Sequence, residues 1–520
     1  MKGLIPVMKN AVNRDIPEYI NGKKVKLFQG AFATQPDMHR QAPIVKCAKP
    51  GESKLIDSLE DVFRKIPIRD GMTLGFHHHF RNGDGVLNQV LEVASKMGIK
   101  DLTLAASAIF SVHAPLLQYI KDGVVTHIDT NYAVGPVAKA ISQGLLENPV
   151  IFRTHGGRAR AIECGDLHID VAFIAAPAAD EYGNLNGIKG ETACGSLGYA
   201  FPDAEYADIV VAVTDHIEPY PLAPIAISQE RVDYVVKIDY IGDPEGIVSG
   251  TTKITKDPVQ LKIASYAAKV IEASGVLKDG FSFQTGAGGA SLAVAHYLSK
   301  IMKEKNIKGS FVMGGITEYL VKMYEEGLFK CIMDVQDFDL DAVRSLKENE
   351  GHLEVGAGLY ASPYNSGCIV NKLDCAVLGA TEIDKQFNVN VITGSDGVIM
   401  GGSGGHSDAA AGASLTIITT NLVRSRLAVL KDRVQTITTP GESIDVLVTE
   451  YGVAVNMKRE DLVDKFKNSG IPVMSIDEMA ALAEQICGKA MPVDTEDQVI
   501  GVVEYRDGTV IDVIRKVKSK

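Results

Sequence analysis

The chain repeats itself, and the repeat limits what it can fold into. Gly71-Met72-Thr73-Leu74 is matched by Gly280-Phe281-Ser282-Phe283, 209 residues on. Ile99-Lys100 is matched by Ile307-Lys308 at 208, and Gly123-Val124-Val125 by Gly327-Leu328-Phe329 at 204. The longest block pairs 170–186 with 374–390, again at 204, with identical residues at Asp170/Asp374, Ala172/Ala376, Ala176/Ala380, Asp180/Asp384, Asn184/Asn388 and Asn186/Asn390. Two unrelated α/β halves would share apolar runs but not Asp and Asn positions. A nearly constant offset therefore predicts two homologous units. Within the first, apolar runs at 72–75, 102–105, 124–128, 171–175 and 209–214 alternate with helical spacing at 59–66, 86–97 and 137–146. That alternation predicts two open α/β domains with mainly parallel sheets. The expected division is an N-terminal arm over 1–55, domains over 56–230 and 231–456, and a small C-terminal appendage over 457–520. The arm reads as polar chain that wraps a partner or another subunit, or as a partly ordered lead-in. In the appendage 457–466 and 476–486 are helical, and Asp507-Gly508 between alternating apolar residues predicts a β-hairpin over 502–514.

Composition excludes several function classes. A 520-residue chain is too long for one core. A net charge of −12 argues against nucleic acid as the main partner. No apolar run reaches the roughly 20 residues of a membrane span, so no membrane partner is expected. Residues 1–14 lack the apolar core of a secretory signal. The seven cysteines form no C-x-x-C pair and read as reduced thiols of a cytoplasmic protein.

The densest glycine stretch is 394–408, where six of fifteen residues are glycine, between apolar runs at 389–392 and 415–418 that read as strands. Missing Cβ atoms let successive N–H groups approach an oxyanion, a carboxylate or a phosphate. Gln284-Thr285-Gly286-Ala287-Gly288-Gly289-Ala290 is a second glycine turn, between a strand at 281–283 and a helix at 292–302. Ser291 stands where a dinucleotide fingerprint needs glycine, and no G-x-x-x-x-G-K-[ST] occurs. In His77-His78-His79, strand alternation lets His77 and His79 share a ligand. No carboxylate or cysteine stands at zinc-like spacing, so no metal site is expected. Two imidazoles with Arg81 and Asn82 suit a carboxylate-rich substrate. So does the basic run Arg153, His155, Arg158 and Arg160 around Gly156-Gly157, through bidentate arginine–carboxylate pairs.

These features together carry a resemblance. The two-domain repeat, Gly286-Ala287-Gly288-Gly289, Gly404-Gly405-x-x-Asp408 and Val448-Thr449-Glu450-Tyr451-Gly452-Val453-Ala454 resemble the coenzyme A transferase superfamily. Within it the whole chain, including 75–84 and 178–187, resembles the citrate lyase α-subunit family. The resemblance implies a citrate:acetyl-carrier transferase that exchanges acetate for citrate on a carrier thiol. Its implied partners are a β subunit that cleaves the citryl thioester and an acyl carrier γ subunit, with citrate and acetyl-CoA as small molecules, in a homo-oligomer. No cofactor is expected on this chain itself; the CoA-like arm of the carrier is its substrate. An acyl-CoA thioester hydrolase of the same fold is the alternative. Most transferases of the superfamily attack the thioester with a glutamate, but the corresponding stretch here reads Gly314-Gly315-Ile316-Thr317-Glu318, with the carboxylate displaced. The expected mechanism is direct attack by citrate, through a mixed anhydride. Expected site residues are Gly404, Gly405 and Glu318 for catalysis, Gly286, Ala287, Gly288, Gly289, Gly401 and Gly402 for the thioester arm, and His77, His79, Arg81, Arg153 and Arg158 for citrate.

Overall fold

Six strands of the first half recur in the same spatial order in the second. In one sheet Val125–Thr130, Leu102–Ala106, Thr73–Phe76, Val171–Ala175, Ile209–Thr214 and Tyr234–Lys237 lie side by side. In the other the order is Phe329–Asp337, Gly309–Ile316, Phe283–Thr285, Cys375–Gly379, Leu415–Thr419 and Val446–Thr449. Neighbours within each run are parallel. This computed structural model describes residues 6–33, 50–248, 254–286, 288–491 and 493–518.

Parallel strands covered on both faces are apolar on both faces, which is why these runs read as continuous hydrophobic blocks. In the second sheet Val377, Ile417 and Val446 join one buried cluster, while Ala376, Ile418 and Leu447 join another on the opposite face. Strand alternation thus splits one sequence run between two cores.

The repeated polar residues are turn scaffolds. Asp170 accepts from Thr73 N at 2.7 Å, and Asp374 from Ser282 N at 2.8 Å, so each ties two adjacent strands at their start. Asp180 Oδ1 accepts from Tyr182 N and Asn184 N, and Asp384 Oδ1 from Gln386 N and Asn388 N. The turn residue between them has positive φ in both halves, Gly183 at 96° and Phe387 at 65°. The pattern survives because an Asp can hold such a turn locally whatever surrounds it.

The ends of the chain depart from the sequence reading. The expected hairpin forms, Thr495–Glu504 with Val510–Val517, but it is no separate appendage. Its first strand pairs in parallel with Val150–Phe152 and extends the first sheet to ten strands. The two helical segments at 457–487 instead pack on the second unit, Phe466 in one buried cluster and Met479 in the other. Residues 6–33 pack on this chain's own hairpin. Asn10 Nδ2 donates to the Val510 carbonyl, Arg14 pairs with Asp512 at 2.9 Å, and Phe28 meets Tyr505 edge-on at 4.8 Å.

Candidate active site

The C-terminal ends of the two parallel sheets face each other, which is where open α/β sheets bind ligands. Segments 77–81, 131–133 and 153–155 follow strands of the first sheet; segments 284–286, 314–316 and 336–338 end strands of the second. Gln336 Nε2 donates to the His78 carbonyl across the gap at 2.8 Å.

The loop 401–405 belongs to the second unit but docks on the first. Ala133 N donates to Gly401 O at 3.1 Å, and His155 N donates to Gly404 O at 2.8 Å. A Cβ on Gly402 would lie 1.9 Å from Asn131 O, and one on Gly405 would lie 2.3 Å from Tyr360 Oη. Glycine is therefore required by close approach as well as by the φ of +50° at Gly404. Asp408 anchors the loop: it accepts from Thr154 Oγ1 and Gly156 N at 2.9 Å each, and Arg506 of the hairpin approaches at 3.4 Å. The second unit thereby supplies a carboxylate at the N-terminus of the helix His155–Cys164 of the first.

Beside this loop stand His78, His155 and Tyr199. The His155 ring lies 4.4 Å from Tyr199 and 5.3 Å from His78, and its Nδ1 is buried without a hydrogen-bond partner among the described residues. Burial first, and Arg158 second, push His155 down to about 3. Burial likewise holds His78 well below the usual histidine range. Both are neutral near pH 7. Arg81 closes the rim, its guanidinium 4.4 Å from the Phe338 ring and 5.7 Å from Phe110. Among the described residues no carboxylate pairs with it; the phenols of Tyr132 and Tyr199 are its neighbours, and burial lowers its pKa. Such a guanidinium between two aromatic rings is set up to take a carboxylate. The opposite wall is Gln284, whose Nε2 donates to Tyr360 Oη at 3.1 Å and lies 3.0 Å from where a Gly314 Cβ would sit. Gly315 packs against Phe338, where a Cβ would meet the ring at 2.2 Å.

Several expected ligands are committed elsewhere. Arg158 is buried and bidentate on Asp203, at 2.6 and 2.8 Å, and reaches the Ala105 carbonyl. Arg153 is held by Asp129 and Glu504. His77 and His79 do share a face, their rings nearly parallel with centroids 6.1 Å apart, but it is the inward one. His77 lies 3.2 Å from Asp203, and His79 bonds the Ala175 carbonyl at 2.7 Å. The skipped residue, His78, faces the cleft. Glu318 opens the helix Glu318–Glu325 at the surface and pairs with Lys322. Gly286 N donates to Val377 O, Gly288 is the N-cap of the helix Gly289–Glu304 with open space at its Cβ position, and Ala287 lies outside the described residues. Tyr199 and Tyr360 carry no sequence signal of their own, whereas Gln284 heads the glycine turn read from the sequence.

A profile of the family described as "Citrate lyase, alpha subunit (CitF)" matches residues 52–517. The chain belongs to the citrate lyase alpha subunit family. It is 47% identical over 512 residues to the citrate lyase alpha chain of Klebsiella pneumoniae, covering 98% of this chain and 100% of that one. Against the alpha chain of Escherichia coli (strain K12) it is 47% identical over 489 residues, covering 94% and 95%. A crystal structure of a Streptococcus mutans protein assigned as the alfa subunit of citrate lyase, in complex with citrate, superposes with a TM-score of 0.95 at 50% identity, covering 98% of this chain and 100% of that one. A Pseudomonas malonate decarboxylase hetero-tetramer shares the fold at TM-score 0.64 and 16% identity, over 84% of each chain. A citrate lyase alpha subunit is an enzyme subunit with acyl transferase activity and works with other citrate lyase subunits.

Proposed function

We propose that the chain transfers a carrier thiol from an acetyl thioester to citrate, releasing acetate and giving a citryl thioester. The observation that carries the reading is Arg81, a guanidinium without a carboxylate partner among the described residues, on the rim of the cleft that holds loop 401–405. One citrate carboxylate sits on Arg81 while another attacks the thioester carbonyl. The thiolate leaves, and a citric–acetic anhydride forms. The thiolate then attacks the citryl carbonyl of the anhydride, and acetate departs. No enzyme carboxylate is needed, in keeping with Gly314-Gly315 at the strand end and with Glu318 paired to Lys322. The N–H groups of loop 401–405 stabilise the oxyanions, each donor contributing about 3–4 kcal/mol. The donor of the thioester is acetyl-CoA or the CoA-like arm of an acyl carrier γ subunit, and a β subunit takes the citryl thioester onward. The place of action is the cytoplasm. Purified chain mixed with acetyl-CoA and isotopically labelled citrate tests this. Label in citryl-CoA supports transfer; free CoA without citryl product supports the hydrolase instead.

A further inference from the structure

Behind the cleft wall formed by Gln336 and Phe338, two aspartates share one buried site. Asp334 and Asp337 lie on the strand Phe329–Asp337, three residues apart, and simple alternation would place them on opposite faces. The pairing register with Gly309–Ile316 shifts between Gly314 and Gly315, opposite Asp334 and Gln336. That irregularity adds a residue and brings both carboxylates to one side. His352, on the neighbouring strand His352–Glu354, completes the group. All three are buried, and one ligand atom from each lies within 4.8 Å of the others.

The atoms already engaged leave a gap with a defined character. Asp337 Oδ2 accepts from Ser196 N at 2.8 Å, and Asp334 Oδ1 accepts from Gln336 N at 2.8 Å. Among the described residues Asp337 Oδ1 is buried with no donor to accept from, and the Asp334 and Asp337 side chains stand within hydrogen-bonding reach of each other. His352 Nδ1 is bonded to Ser345 Oγ at 2.9 Å, and its Nε2 stands 3.3 Å from Asp334 Oδ2. With Nδ1 as the donor, a lone-pair nitrogen faces a carboxylate oxygen. A histidine oriented through its far nitrogen, with the near one turned to two carboxylates, is the usual arrangement of a metal ligand and its second shell. Among the described residues no lysine or arginine pairs with either aspartate. Glu354, which accepts from Leu197 N, adds a third acid nearby.

We propose that Asp334, Asp337 and His352 hold a divalent transition-metal cation, zinc or manganese, that fastens the loop at 195–198 to the edge of the second sheet. Two charges on the cation balance two aspartates. One imidazole with two carboxylates suits zinc or manganese, whereas magnesium prefers oxygen ligands and keeps its waters. The loop comes from the first unit and needs glycine at both ends: a Cβ on Gly195, whose φ is +89°, would sit 1.4 Å from Asp337 Oδ2, and one on Gly198 would sit 2.2 Å from Val355 O. The cation is structural, since every ligand is buried, and its site differs from the one weighed in the expectation from sequence. That expectation looked for regular spacing around His77–His79. Here the ligands come from two strands of the other half.

The test uses the full chain, refolded with excess Zn²⁺, Mn²⁺ or Co²⁺ and then passed through gel filtration. About one equivalent of metal should remain per chain, and Co²⁺ should show a visible d–d band of a protein-bound ion. Asp337→Asn and His352→Gln should each reduce retained metal by roughly 10-fold or more. Chelation with EDTA should lower the melting temperature of the wild type and not that of Asp337→Asn. If the variants do not fold, the wild-type count and the EDTA shift decide. No retained metal together with an EDTA-insensitive melting temperature overturns the proposal. So does metal lost on Asp208→Asn, which alters the partly exposed His168–Asp170–Asp208 group instead.

Discussion

Replacing Arg81 with alanine separates its two roles cleanly, because among the described residues the guanidinium has no carboxylate to leave behind. The residue sits at φ 51°, a strain that alanine inherits unchanged. What the folded chain loses is stacking on Phe338 and Phe110, about 0.5–1 kcal/mol. What it gains is relief from holding a charge that burial already disfavours. The two nearly cancel, so stability should change by less than about 1 kcal/mol. In the citrate complex the balance differs. A charged hydrogen-bonded pair between guanidinium and carboxylate contributes about 1.5–3 kcal/mol, which at 1.4 kcal/mol per decade is roughly a 10- to 150-fold rise in the half-saturating citrate concentration. Acetyl-CoA should be bound as before. Arg81→Lys should fall between, since an ammonium keeps the charge but loses the fork and the stacking. Initial rates over a grid of both substrates, with urea unfolding of the same preparations, provide the assay. An unchanged citrate dependence, or an equal shift for both substrates, refutes the assignment of Arg81 as the carboxylate ligand.

Arg158→Ala should behave in the opposite way: stability drops by about 3–5 kcal/mol because Asp203 is left charged and buried. A variant as stable as wild type with a raised citrate requirement would return Arg158 to the substrate site. Gly405→Val drives a side chain into Tyr360 Oη, and turnover should fall roughly 10²- to 10³-fold with little change in acetyl-CoA affinity measured by calorimetry. A folded variant with normal turnover takes this loop out of the chemistry. Glu318→Gln should keep most activity, borohydride after acetyl-CoA alone should not inactivate, and kinetics should be sequential; parallel double-reciprocal lines or a trapped adduct on Glu318 would contradict this. Burial, with His77 adding to it, pushes the buried His79 down to about 4, against ~6.5 in an unfolded chain. The folded state therefore binds fewer protons between those values. Its contribution is complete above about pH 6.5 and declines as pH falls towards 4, by up to ~1.4 kcal/mol per unit. Urea midpoints that stay flat from pH 7 to 4 would show that His79 is not held neutral.

The repeat was legible because its markers act locally. Asp180 and Asp384 each hold a turn with their own neighbours, so the sequence keeps them at fixed spacing. The glycines of 401–405 were legible for the same reason: close approach leaves no room for Cβ. Side-chain direction was not. His77 and His79 do alternate with His78, but which face looks inward depends on Asp203 and the Ala175 carbonyl, which lie far off in sequence. Arg153 and Arg158 looked free because Asp129, Glu504 and Asp203 are invisible from the run itself. Tyr199 and Tyr360 reach the cleft only through tertiary packing. The hairpin was read correctly as a hairpin, yet its partner strand is more than 300 residues away, beyond any local signal.

That last pairing has a consequence for how the chain is made. Until Thr495–Glu504 is synthesised, the strand Val150–Phe152 is the uncovered rim of an otherwise finished sheet. At roughly 5–20 residues per second the wait lasts tens of seconds, with unpaired N–H and C=O groups exposed to any other nascent chain. The second half is in effect an insert that must emerge before the first can be closed. Shutting the first sheet also delivers Arg506 to Asp408, so the step that seals the rim is the one that locks the loop at 401–405 against its helix. A chain stopped short of the hairpin would be both sticky and unlocked.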